Sequence, residues 1–439
     1  MSSDVLEYSL KSLCLLVADC PHATPKWTNS GFVVLRNQNI KAGRLDLSSP
    51  SFTDEEHFRG RIRRAEPRDG DIVITREAPM GDVCQIPPGL RCCLGQRQVL
   101  LRPNPAKVNP RFLLFALQAP YLQHQIGWNE GTGSTVSNLR IPVLEALRVP
   151  TPPLIDQEEI AAVLGALDDR IALLRETNAT LEAIPQALFK SWFVDFDPVR
   201  AKSQGLAPAG MDEATAALFP EGFDRSEIGE VPSGWRVQPI GDVTDCVGGA
   251  TPDTKDDRYW SPAEHAWTTP KDLSGLASPV LLQTERCISS QGLAKIGSGL
   301  LPAGTLLMSS RAPIGYLALA QMPVAINQGY IAMRPGTPLP PLYMLFWCRQ
   351  NMDLIKARAN GSTFMEISKK SFRPIPSLVP PEPAIAAFKS VAAPLLARVV
   401  ENERQVQILA TLRDTLLPRL ISGQIRLPEA ATQAEEALA

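Results

Sequence analysis

The sequence predicts an α+β protein: two mixed α/β globules in tandem, each followed by a long helix, the two helices packed as an antiparallel coiled coil. Three observations carry this reading. The chain repeats itself at an offset near 228. Strand-type runs stop at the same place in each half, and a seven-residue apolar seam begins there. At 439 residues the chain is too long for one ordinary core. The texture divides it into a first globule over 1–153, a helix over 154–196 and a linker over 197–234. A second globule over 235–381, a helix over 382–424 and a tail over 425–439 follow.

The repeat rests on four matches that keep their order. Ala23-Thr24-Pro25 returns as Ala250-Thr251-Pro252, and Ala78-Pro79-Met80-Gly81 as Ala312-Pro313-Ile314-Gly315. Gly133-Ser134-Thr135 returns as Gly361-Ser362-Thr363, and Pro152-Pro153 as Pro380-Pro381. Within each globule, β-type runs such as 31–35, 71–75 and 304–308 alternate with turn residues. Shorter helical candidates sit among them at 110–125 and 341–359.

After each Pro-Pro pair the pattern becomes helical. Over 156–183, Ile160, Leu164, Leu167, Ile171, Leu174, Asn178 and Leu181 alternate spacings of four and three. From about 384, Phe388, Ala392, Leu395, Val399, Asn402, Val406 and Leu409 repeat that seam at the same offset. Asn178 and Asn402 interrupt it at different heptad positions, either to fix register or to cap and face water. Pro185 predicts a disruption just beyond the first seam. The apolar group Leu188, Phe189, Trp192 and Phe193 after it is either local core or a docking patch. The Pro- and Gly-rich stretch 197–234 reads as a linker packed through its aromatics.

Composition bounds the partners. Hydrophobic residues make up 44% and charged residues 21%, as in soluble globular chains. A formal charge of -2 gives no global basic signature, so a local basic face or basic partners must supply counter-charge for phosphates. The eight cysteines form no C-x-x-C pair and the four histidines lie far apart, which speaks against zinc and for free thiols. The first twenty residues lack a basic start and a cleavage site, and no apolar run approaches the roughly 20 residues that span a bilayer. A cytoplasmic protein is expected.

Motifs for chemistry are missing. There is no phosphate-binding G-x-x-x-x-G-K-[ST] loop, and Gly131-Thr-Gly-Ser134 lacks the strand and third glycine of a dinucleotide site. No tetrapeptide for holding a flipped base, metal-nuclease carboxylate pair, H-E-x-x-H or G-x-S-x-G occurs. No catalytic residue, metal or cofactor is expected.

What remains suits recognition: Arg36-Asn-Gln-Asn39, Arg59-Gly-Arg-Ile-Arg-Arg64 and Thr268-Thr-Pro-Lys-Asp272. Arg and Asn read purine edges bidentately, while Lys and Ser/Thr hold phosphates. Candidate DNA-contacting residues are Lys26, Arg36, Asn37, Arg61, Arg63, Arg64 and Arg76 in the first half. In the second half they are Lys255, Lys271 and Arg311.

The stretch Leu181-Glu-Ala-Ile-Pro-Gln-Ala-Leu-Phe-Lys-Ser-Trp-Phe-Val-Asp-Phe-Asp-Pro-Val-Arg200 resembles the central region of type I restriction-modification specificity subunits. Ala207–Met211, Ala217–Pro220, Val231–Trp235 and Leu412–Gly423 resemble the same family, so the likeness covers nearly the whole chain. The resemblance implies two target-recognition domains, each reading half of a split double-stranded DNA site. It implies helices that act as a ruler and dock two methyltransferase subunits, to which nuclease-translocase subunits attach. Methyl donor and ATP would belong to those partners. Ala312–Gly315, Asn327-Gln328-Gly329 and Gly361-Ser362-Thr363 match the family's domain framework. The first half departs from it, with Glu77 opposite Arg311 and Gly95 opposite Asn327. A self-sufficient modification enzyme and an adapter for another DNA-defence complex are the alternatives, separated by whether the chain alone binds the methyl donor.

Overall fold

The computed structural model describes residues 6–41, 43–128, 138–361 and 365–438. The glycine cluster at 131–134 and the repeated Gly-Ser-Thr motif lie wholly or partly outside them. The chain forms two compact units, one from 1–172 with 407–439 and one from 173–406.

In the first unit a four-stranded antiparallel sheet runs in the order Cys14–Asp19, Gln98–Pro103, Ile72–Thr75, Val83–Gln85. Ile72–Thr75 is buried at all four positions, because it is flanked on both edges and covered on both faces. A second sheet places Phe32–Leu35 between antiparallel Ser51–Thr53 and parallel Cys92–Leu94. Glu7–Ser9 pairs with Arg148–Pro150, which closes the globule just before the first Pro-Pro pair.

The second unit repeats this order. Cys246–Val247, Tyr330–Met333, Leu306–Ser309 and Leu317–Ala320 form the corresponding sheet, extended by the parallel strand Val280–Leu281. His265–Thr268 lies between antiparallel Arg286–Ile288 and parallel Ala325–Ile326. Arg236–Pro239 pairs with Pro376–Val379. The repeated motifs share one local geometry. Gly81 N–H donates to Thr75 O at 2.9 Å, and Gly315 N–H to Ser309 O at 3.0 Å. The Thr75 and Ser309 hydroxyls accept from the next residues, Asp82 at 3.0 Å and Tyr316 at 2.8 Å.

Two helical expectations change at their interiors. The segment expected as one helix over 110–125 is two, Pro110–Gln118 and Pro120–Trp128. Pro120 excludes the residue before it from helical geometry, and Ala119 sits at ψ 144. Likewise 341–359 divides at Asn351 into Pro341–Gln350 and Met352–Ala357.

The first long helix spans Leu154–Phe193 and carries Pro185 in its interior. The expected disruption there does not occur. An interior proline costs about 3 kcal/mol. Burial of large side chains beyond it offsets this, since Phe189, Trp192 and Phe193 are at most 7% exposed. They meet Tyr343, Phe388, Phe219 and Trp235 with ring centroids 4.9–6.0 Å apart. Of the two readings of this cluster, local core is the one the contacts support.

The second long helix spans Glu382–Ile421. By length and apolar content alone one stretch of it would suffice to cross a membrane, which the sequence reading did not foresee. Its apolar positions include the seam: Phe388, Ala392, Val399, Val406 and Leu409 are buried. On the first helix Ile160, Leu164, Leu167, Ile171 and Leu174 are buried in the same pattern.

Within the second unit the helices run antiparallel. Phe189 meets Phe388, Leu181 packs on the patch of Val280, Val399 and Val400, and Asn178 meets Asn402, so positions rise on one helix as they fall on the other. Both asparagines are 1% exposed, which excludes the solvent-facing alternative. Within the first unit, Arg413 donates to Asp168 at 2.7 Å from helix to helix. The tail expected after 424 carries a further helix, Leu427–Leu438.

Candidate nucleic-acid interface

Around the three-stranded sheet of each unit exposed cations lie against aromatic rings. In the first unit Asp54 caps the helix Glu55–Arg61, accepting from His57 N–H at 2.9 Å. That backbone bond, with the His57 side chain, holds the Asp54 carboxyl at about 2, below the usual carboxylate range. Phe32 and Phe58 stack 4.2 Å apart, and the Arg91 guanidinium lies 5.1 Å from each ring. Beside them the Arg36 guanidinium lies 5.3 Å from the ring of Trp27, itself 46% exposed.

The corresponding sheet of the second unit carries the same type of stack. Arg286 lies 3.6 Å over Trp260, which meets Trp267 edge-on at 5.1 Å. Lys295 lies 5.6 Å from the Tyr259 ring. A cation held flat on an aromatic face loses little entropy on meeting a phosphate or a base edge. In both units these cation–aromatic pairs lie in or beside the segments that form the three-stranded sheet.

The sequence-selected candidates separate into two groups. Lys26 is exposed and pairs loosely with Asp54 at 3.4 Å, and Arg63 and Lys255 are exposed. Arg36 belongs to the stack above. Arg64 is exposed and rests on the carbonyls of Asp19 and Cys20 at 3.2 and 3.4 Å. Lys271 is exposed but paired with Glu285 at 2.8 Å.

The expectation for Arg61 is corrected. It is 7% exposed and donates to the carbonyls of Leu94, Ala23, Pro21 and Gly95, so its charge is spent inside the globule. Arg76 is similarly committed, to Leu139 O, Asp19 and Asn138. Asn37 donates to Glu77 O at 2.5 Å and is half-buried, a tie between segments and not a free reader.

Arg311 pairs with Glu366 at 3.5 Å and lines a cavity of about 620 Å³ with Pro313, Lys356 and Met365. Its counterpart Glu77 instead pairs with Arg97 at 3.1 Å, so the two halves carry opposite charge here. Gly95 and Asn327 do correspond. Their N–H groups donate to Leu35 O and Thr268 O across the parallel strand pairs. A Cβ at 95 would stand 2.3 Å from Leu35 O, so the first half has room only for glycine.

Burial pushes the thiols of Cys14, Cys84, Cys92 and Cys246 up to about 12, so they are not nucleophiles at neutral pH. Among the described residues no group of three His, Cys, Asp or Glu could hold a metal ion. Sequence reasoning missed Trp27, Trp260 and Arg286. Trp27 and Trp260 lie at positions that do not correspond in the repeat, so the duplication gave no signal for them.

Comparison with known proteins joins this geometry to a family. A family model described as the type I restriction modification DNA specificity domain matches residues 7–183 and again 232–415. The chain is 35% identical over 141 residues to the type I restriction enzyme MjaIX specificity subunit of Methanocaldococcus jannaschii, covering 32% of each chain. It therefore spans about a third of that relative. It is 25% identical over 383 residues to the type I restriction enzyme HindI specificity subunit of Haemophilus influenzae, covering 74% of this chain and 80% of that one. The crystal structure of the type I restriction-modification S subunit from M. genitalium has a like fold, with TM-score 0.55 and 17% identity. That match covers 94% of this chain and 95% of the other.

Proposed function

The chain belongs to the type I restriction-modification DNA specificity family, and from this we propose that it reads DNA sequence for a modification complex without performing chemistry itself. The observation that carries the reading is the duplicated three-stranded sheet with its guanidinium–tryptophan stacks, Arg36 on Trp27 and Arg286 on Trp260. One globule reads one half of a split target in double-stranded DNA and the second reads the other. The long helices carry the docking surface for two methyltransferase subunits, and nuclease-translocase subunits join through these. Ile184 and Val391 stand exposed on the helices in the second unit, and Ile408 in the first, as apolar contacts for such partners. The complex acts in the cytoplasm, where its DNA is. Methyl donor and ATP bind the partners.

The test is reconstitution. The rigorously purified chain is expected to transfer no methyl group to DNA, and to direct sequence-specific methylation once methyltransferase subunits are added. Methyl transfer by the chain alone would sink the proposal.

The two stacks predict separable effects. Arg286→Ala is expected to weaken target binding by roughly 1–3 kcal/mol, about fivefold to a hundredfold, and to relax only one half-site. Arg36→Ala should relax the other. Methylation mapping with each variant decides it, and relaxation of both halves by either change would refute the assignment.

A further inference from the structure

We propose that Asn178, Asn402, Glu403 and Ser278 are positioning residues: one polar key that sets the register of the helix pair within the second unit and seats the second globule on it. Asn402 Nδ2 donates to Asn178 Oδ1 at 2.8 Å, and Asn178 Nδ2 donates to Glu403 Oε1 at 2.8 Å. The same Glu403 oxygen accepts from the Ser278 hydroxyl at 2.7 Å. Ser278 precedes the strand Val280–Leu281, which forms the parallel edge of the second sheet where the first has a single parallel bridge, Gly43 to Cys84. Val280 then packs on Val399 and Val400, with Leu181 and Leu396 beside them. The edge strand of the second sheet is thus fastened to the helices by one charged hydrogen bond and an apolar patch.

The aliphatic part of the seam on either side of the asparagines does not define register by itself. Apart from Phe388 its other positions are aliphatic at a seven-residue repeat, and sliding one helix by a heptad there would again place aliphatic against aliphatic. The asparagines remove this degeneracy, because a slipped pair leaves both amides without partners in a dry seam. Each helix also shows the apolar alternative. Where the first carries Asn178 the second has Val406, and where the second carries Asn402 the first has Leu174. The polar residues are therefore not required to fill the seam.

The test is the full-length double variant Asn178→Val/Asn402→Leu. Its melting temperature is expected to match or exceed the parent's, since apolar groups replace a buried polar pair. Hydrogen exchange over 278–282 should accelerate at least tenfold. With methyltransferase subunits present, methylated sites should show more than one gap length, the new gaps at a tenth or more of the parental level. Ser278→Ala should accelerate the same exchange while keeping a single gap. Glu403→Gln keeps an accepting oxygen and should behave as the parent, whereas Glu403→Leu should not.

Unchanged exchange in the double variant and in Glu403→Leu would overturn the key. A lower melting temperature with one unchanged gap would overturn the register role. Only the gap measurement rests on the DNA-reading function. If the parent directs no specific methylation, that function fails while exchange still decides the key.

Discussion

Arg61→Ala is expected to cost the first unit about 3–5 kcal/mol, enough to unfold it under mild conditions. The guanidinium donates at 2.7–3.1 Å to the carbonyls of Leu94, Ala23, Pro21 and Gly95, joining the parallel strand Cys92–Leu94 to the segment after Cys14–Asp19. Removing it leaves four carbonyls without that donor, in a place nearly closed to water. Its exposed neighbour provides the control: Arg63→Ala should change stability by no more than about 0.5 kcal/mol. Urea unfolding of both variants, followed by a probe in the first unit, measures the difference. Normal unfolding of Arg61→Ala with weakened DNA binding would return Arg61 to the list of DNA contacts.

The second large effect concerns the long helices. Inserting one heptad into only one of them should abolish activity, because the Asn178–Asn402 and Asp168–Arg413 contacts cannot both form. Inserting a heptad into both preserves pairing and lengthens the pair by about 10 Å at 1.5 Å per residue. If the helices act as a ruler, the unspecified gap should grow by roughly three base pairs, one DNA turn being about 34–36 Å. Methylation mapping of both variants reads this directly. A functional paired insertion with an unchanged gap would show that helix length does not set the spacing.

The long helices were legible because a seam is a one-dimensional pattern, and seven-residue spacing survives whatever surrounds it. Their extent was not. Pro185 is read locally as a stop, while the packing that carries the helix past it comes from Tyr343 and Phe388, far along the chain. The repeat exposed the duplicated globule from four short motifs, but strand order followed only from pairing. Within the basic run ending at Arg64 the sequence offered Arg61, Arg63 and Arg64 alike as DNA contacts. On the helix Glu55–Arg61, Phe58 and Arg61 lie three apart, so the core that buries the ring also takes the guanidinium. The Arg286–Trp260 stack joins residues from different elements, and no local spacing announces it.

The first unit is discontinuous in sequence, drawing on 1–172 and 407–439, while the second is the uninterrupted stretch between. On the ribosome this inverts the order of completion. The globule made first lacks the Arg413 that meets its Asp168 until the last part of the chain emerges. The second unit, begun later, has all its residues earlier. During synthesis the amino-terminal globule must therefore wait with the seam face of its helix uncovered. A premature stop near the carboxyl terminus would damage the part of the protein that was translated first.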